Sequence, residues 1–331
     1  MKISAVVQIF RQPRRLWLGL MISVIFLYLA LRQVDYSETA ASLQRADWLL
    51  ISVGVGSLVA TFVGFAIRWR NLLRDAALLP VQDTFAYIMI SYLVNTVLPL
   101  RVGDLTRAVL LGKRHSISTT LILGTVMLER VLDVFILLAM ALALSLIIDM
   151  PLLVRAGIMT FAGGALIAFT SLFLLARIGS RFHNLIPMRP SFVHDAAVNR
   201  VSGLVTRFSD GLSTLRDGKQ FILAIILSVL AWTIAGAGMV AYVKAFHLPA
   251  PWYAALLVLV VTNLGGAIPS SPGAVGVYHY LAVLALSVWV PDKSQALGFA
   301  IATHGMNILV NILIGFSCLA REGITLRSTV M

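Results

Sequence analysis

The sequence predicts an all-α polytopic membrane protein, with six full spans and two broken re-entrant helical hairpins arranged as an inverted-topology repeat. Three observations lead there. The first is composition: 59% of the 331 residues are hydrophobic, only 12% are charged, and mean hydropathy is +0.92, against about 45–50% apolar and about 25% charged in a soluble domain. The second is charge placement: Lys and Arg sit in short segments between apolar runs, the pattern that sets membrane orientation. The third is a repeated order of elements, each half containing one apolar stretch broken at Pro-x-x-x-Gly.

The net charge of +12 does not point to nucleic acid, because the basic residues flank spans instead of forming one stripe. The single cysteine, Cys318, excludes an internal disulfide. No metal or cofactor motif is present.

Taken in order, Leu16–Leu31 follows Arg14 and Arg15 and lacks a small-residue cleavage site, so it reads as a retained first span and not a signal peptide. Arg32–Asp47 is a short mixed-charge loop. Trp48–Ile67 is the second span, and Arg68-Trp69 at its end reads as an interface anchor with a snorkelling cation. Thr84–Leu98 is apolar but only 15 residues long, short of the roughly 20 a span needs. Basic residues flank it on both sides, so a re-entrant hairpin keeps both flanks on one side. Its break carries Pro99, Arg101 and Gly103, and Leu105–Arg114 reads as a short interfacial helix with Asp104 as its N-cap.

Ile117–Ile148 is long enough to span, yet it contains Glu129, Arg130 and Asp133. Helical geometry puts Glu129 and Asp133 roughly 40° apart, with Arg130 within about 100° of both, so one face carries all three. Ionisable groups in hydrocarbon cost at least a few kcal/mol each on insertion scales. Two readings are open: a buried ion pair that fixes packing, or a headgroup contact at membrane depth.

After the turn Asp149-Met150-Pro151, Leu152–Ala176 is the fourth span. Arg177–Lys219 is a basic linker, and Val193–Leu215 within it has apolar residues at near-helical spacing, which predicts a helix along the membrane surface. Phe221–Val243 is the fifth span, with Gly236 and Gly238 permitting close approach of another helix. Trp252–Ile268 and Ala274–Val290 flank the break at Pro269, Ser270, Ser271, Pro272 and Gly273, with Gly276 and His279 just beyond. Ser294–Leu319 is the last span and carries His304, Asn307 and Asn311.

With the amino terminus inside, the inside segments carry 20 Lys and Arg and the outside segments 5, which places both termini in the cytoplasm. The whole chain is then one membrane domain, with residues 1–150 as the first half and 151–331 as the inverted second. Pro99 and Gly103 match Pro269 and Gly273, and an Asn precedes each break, Asn95 and Asn263. Broken helices in inverted repeats are a transporter plan, with substrate near the repeat interface.

Four stretches in this order resemble the transmembrane domain of lysylphosphatidylglycerol synthetases, a flippase-like family. They are Arg68-Trp69; Leu98-Pro99 with Gly103-Asp104-x-x-Arg107; Leu128-Glu129-Arg130-x-x-Asp133; and Pro269-Ser270-Ser271-Pro272-Gly273-x-x-Gly276. The resemblance covers nearly the whole chain and implies movement of lipids or lipid-linked headgroups between the leaflets of a bacterial or archaeal plasma membrane. The family's usual Gly-Glu is Gly103-Asp104 here, and His279 stands where a Glu is common. No aminoacyl-transfer domain is expected, so the chain should not itself make lysyl-lipid.

The expected substrate-binding set is Arg101, Asp104, Arg107, Glu129, Arg130, Asp133, Asn263, Ser270, Ser271, His279, His304 and Asn307. The arginines would meet lipid phosphate, since guanidinium and phosphate pair bidentately. Partners are membrane lipid, phospholipid or polyprenyl-linked, and an enzyme of lipid or glycan synthesis. The rival classes are an ion- or proton-coupled solute carrier using His279 and His304, a membrane enzyme, and an accessory partner of a lipid or glycan synthesis enzyme docking through Arg177–Lys219. Against the enzyme, there is no His-Glu-x-x-His or Gly-x-Ser-x-Gly.

Overall fold

The computed structural model describes residues 13–32, 34–98, 102–178, 195–268 and 271–323. These form helices α1 (Pro13–Leu31), α2 (Tyr36–Gln44), α3 (Trp48–Leu72), α4 (Val81–Val97), α5 (Gly103–His115), α6 (Thr119–Ser145), α7 (Leu152–Ile178), α8 (Asp195–Asp210), α9 (Gly218–Ala245), α10 (Trp252–Gly265), α11 (Val277–Leu286) and α12 (Lys293–Arg321). Two short 3-10 turns, Ser213–Leu215 and Pro272–Ala274, complete the set.

Four helices, α3, α7, α9 and α12, are long and apolar enough to cross a membrane, and the chain is a multi-pass membrane protein. The 27 residues of α6 have the length, but its three charges interrupt the apolar run. α10, with 14 residues, is too short to cross alone. α7 turns large apolar side chains such as Leu152, Met159 and Ile167 outward, as a lipid-facing helix would.

The centre of the molecule is the pair α3 and α9, which share the most extensive interface. Both start at an aspartate N-cap: Asp47 accepts from the N–H groups of Leu49 and Leu50, and Asp217 from those of Lys219 and Gln220. The helices meet closely because glycine lets them. A Cβ on Gly238 would sit 2.7 Å from Ser57 Cβ, so the expectation of close approach there holds.

The remaining contacts fall into two matching sets. α4 packs on α5 and α10 on α11; α5 packs on α6 and α11 on α12; α4 lies against α12 and α10 against α6; α2 lies against α12 and α8 against α6. Pro80 and Pro251 precede α4 and α10. The outer helices depart from this pattern, with α1 on α11 and α7 on α6.

Of the residues expected at the breaks, Pro99, Arg101, Pro269 and Ser270 lie outside the described residues. At the first, Asn95 Oδ1 accepts from the N–H of Gly103 at 2.8 Å, closing α4 back onto α5. A Cβ on Gly103 would run into the Ser91 carbonyl. At the second, Pro272 opens the 3-10 turn, and Gly273 (φ 66°) and Gly276 (φ 89°) occupy conformations that L side chains rarely adopt. Ser271 N–H donates to Ser23 Oγ at 2.7 Å, fastening this break to α1. A Cβ on Gly273 would lie 3.5 Å from the Thr96 carbonyl, so the second break abuts the end of α4.

Two expectations need correction. Asp104 does not cap α5: the helix begins at Gly103 after Val102, and the Asp104 carboxylate is bound elsewhere. The buried face of α5, with Thr106, Arg107, Ala108 and Leu111, packs between α4 and α6. Asn263 is no counterpart of Asn95: it is exposed, and its amide donates to the Leu259 carbonyl of its own helix.

Candidate functional site

The site is built on α3, α5 and α6. α6 turns Glu129 and Asp133 inward at 2% and 6% exposure. Two charges there are tolerable only with partners close by, and α3 supplies the first. Arg68 is fully buried. Its Nη1 donates to Asp133 Oδ1 at 2.5 Å and to Ser228 Oγ of α9 at 3.0 Å, and its Nη2 donates to Glu129 Oε1 at 2.9 Å. Trp232 Nε1 adds a bond to Asp133 at 3.0 Å. Arg68 therefore joins the central α3–α9 pair to α6.

α5 supplies the second cation. Arg107 Nη2 reaches Glu129 Oε2 at 2.8 Å and Asp104 Oδ1 at 3.2 Å. The guanidinium lies over the Trp69 ring, 4.7 Å from its centroid, and the indole N–H is bound to Thr125 Oγ1 at 3.1 Å. The third cation differs. Arg130 grips Asp104 with two bonds, Nε to Oδ2 at 3.1 Å and Nη2 to Oδ1 at 2.8 Å. Its side chain is 33% exposed and that of Asp104 is 21% exposed. Ser91 of α4 also donates to Asp104, at 3.3 Å.

Three guanidinium groups and three carboxylates thus sum to zero charge. The inner members Arg68, Arg107, Glu129 and Asp133 are sealed, and the Asp104–Arg130 pair forms the open edge. Arg68 is the member that sequence reasoning misplaced. It was expected to snorkel, and it is instead the buried hub. The signal was the unbroken helical run through Arg68-Trp69-Arg70-Asn71, which lets α3 extend past Ile67 to Leu72. Trp232, Ser228 and Ser91 were not expected at all; Ser228 and Trp232 lie one turn apart on α9, and Ser91 lies one turn before Asn95 on α4.

Of the other expected residues, His279, His304 and Asn307 lie in a second group with Tyr278 and Asn311. Tyr278 stacks on His304 with ring centroids 4.4 Å apart, and His279 lies 5.0 Å from His304. Asn311 Nδ2 donates to Asn307 Oδ1 at 2.9 Å. Ser271 is committed locally, its hydroxyl bonding the Val275 carbonyl at 3.2 Å. Among the described residues, no three His, Cys, Asp or Glu side chains come together to hold a metal.

This architecture is that of a helical membrane protein with a neutral ionic cluster held between a broken hairpin and a long helix. The model of one family, the lysylphosphatidylglycerol synthase TM region, matches residues 16–315, and the chain belongs to that family. A curated relative, glycosyltransferase AglD of Haloferax volcanii, is 22% identical over 346 residues, covering 94% of this chain and 55% of that protein. The chain thus spans about half the length of that relative. No solved structure matches it significantly.

Proposed function

We propose that this chain is a lipid translocase, moving an anionic or polyprenyl-linked headgroup between leaflets while the hydrocarbon chains stay in the bilayer. The observation that carries this reading is the open edge of the cluster. Arg130 holds a carboxylate with two parallel bonds and remains one-third exposed. A lipid phosphate offers the same acceptor geometry, so it can take the place of the Asp104 carboxylate on Arg130. The sealed members keep α3, α5 and α6 in place during the exchange. A resting cluster of zero net charge suits a site inside a membrane.

In this reading α1, α3, α6, α7, α9 and α12 are the six spans, α4–α5 and α10–α11 are re-entrant hairpins, and the halves are inverted with both termini cytoplasmic. The charge asymmetry of the loops and the matching contact sets support it. Such hairpins leave backbone groups that must be buried in protein or line a watery cavity, and in this reading the headgroup passes between them. We also infer a carrier, not a catalyst, because guanidinium groups engage all three carboxylates of the cluster. The name of the relative, a glycosyltransferase, favours a setting in glycan synthesis, beside an enzyme that makes or uses the lipid.

The test is leaflet exchange in reconstituted vesicles carrying a fluorescent anionic phospholipid or a fluorescent polyprenyl phospho-sugar, read by dithionite quenching. Complete quenching of either lipid is expected, with half quenching in protein-free vesicles. Half quenching of both in the presence of protein would contradict the reading.

A further inference from the structure

The second half of the chain holds an uncharged cluster at positions matching the ionic one. Val102 and Gly276 precede α5 and α11, and Ser118 and Asp292 precede α6 and α12; both pairs are 174 residues apart. At that spacing Asp104 corresponds to Tyr278, Glu129 to Thr303, Arg130 to His304 and Asp133 to Asn307. Contacts correspond as well as positions. Where Arg130 grips Asp104, His304 stacks on Tyr278, and the Tyr278 hydroxyl lies 3.2 Å from Thr303 Oγ1.

The chemistry is what differs. None of these four is a carboxylate, a lysine or an arginine. Phenol, hydroxyl, imidazole and carboxamide each donate and accept hydrogen bonds without formal charge at the donor or acceptor pair they use. Together with an aromatic ring they suit a polyhydroxyl group. They offer no carboxylate to an ammonium and no guanidinium to a second phosphate.

The cluster also has unused capacity and an approach. Asn311 is 4% exposed, and its Oδ1 has no partner among the described residues. Tyr278, His279 and Asn307 are only half-buried. The cluster touches the first hairpin, since Asn311 Nδ2 lies 3.5 Å from Thr96 Oγ1. Ser91, on the same helix α4 as Thr96, donates to Asp104 of the first cluster. A polar line therefore runs along α4 between the two clusters.

Resting on the lipid-carrier reading, the geometry points to a sugar site at Tyr278, His279 and Asn307, so that the ligand class is a glycosyl phospho-lipid and not an aminoacylated one. Arg130 takes the phosphate, and the uncharged cluster takes the hydroxyls of the sugar.

Binding of three lipids to the full chain in detergent tests this: a short polyprenyl phosphate esterified with a hexose, the same phosphate esterified with methyl, and lysyl-phosphatidylglycerol. The first two carry equal charge, so their ratio isolates the sugar. The wild type should prefer the hexosyl lipid by about tenfold, the equivalent of one or two hydrogen bonds. His279→Ala and Asn307→Ala should each erode that ratio while keeping affinity for the methyl ester, which also shows that they are folded. Equal binding of hexosyl and methyl esters by the wild type would overturn the sugar site and leave the lipid carrier standing. Preference for the lysyl lipid would overturn it too. Binding of none of the three would remove the carrier reading and the sugar site together.

Discussion

α6 and α12 place polar residues at matching points in two apolar helices, yet they stabilise them in different ways. On α6, Glu129 and Asp133 are charged and buried, and their partners come from α3, α5 and α9. On α12, Thr303, His304, Asn307 and Asn311 are uncharged and bonded mostly within α12 or to α11 and the adjoining break. A buried charge needs a partner that the rest of the fold must deliver, whereas a hydroxyl or amide can be satisfied by its own helix. The first cluster is therefore a structural lock with one open edge, and the second is open to change.

The sharpest way to break this comparison is Arg68→Met. It leaves Glu129 and Asp133 buried without their central cation, and removing one member of a buried pair costs about 3–5 kcal/mol. The variant should lose its folded, monodisperse state on size exclusion or melt far below the wild type. Gly238→Leu should come next. It forces α3 and α9 apart at Ser57 and should cost about 1–3 kcal/mol as overpacking does, read as a lowered melting temperature. Ser228→Ala removes one bond to Arg68 while leaving both carboxylate bonds, for a loss of about 1 kcal/mol or somewhat more. In the second cluster Tyr278→Phe removes a single hydroxyl contact to Thr303 and should cost about 1 kcal/mol or less. A Tyr278→Phe loss as large as that of Arg68→Met would erase the distinction between lock and open cluster.

Much of this arrangement was legible in the sequence. Helical periodicity put Glu129, Arg130 and Asp133 on one face, and Gly marked both breaks, Gly103 by its close approach to the Ser91 carbonyl and Gly273 and Gly276 by their left-handed backbone. What sequence could not supply was pairing across the fold. Arg68 lies 61 and 65 residues before Glu129 and Asp133, and hydropathy alone cannot tell a snorkelling arginine from a buried one. Asp104 has the residue type and place of an N-cap, but the nearby guanidinium groups outcompete backbone N–H for its carboxylate. Asn95 and Asn263 look alike beside their breaks, and only the structure shows that one closes a hairpin while the other bonds its own helix.

The most direct measurement pairs stability with transport in Arg130→Ala. Arg68 and Arg107 form the lock, and Arg130 at the open edge is the group proposed to meet the lipid. The variant should keep a melting temperature close to that of the wild type and lose leaflet exchange of the lipid that the wild type moves. Wild-type exchange in a stable Arg130→Ala protein would contradict the account, because the cluster would then be a packing device with no part in moving lipid.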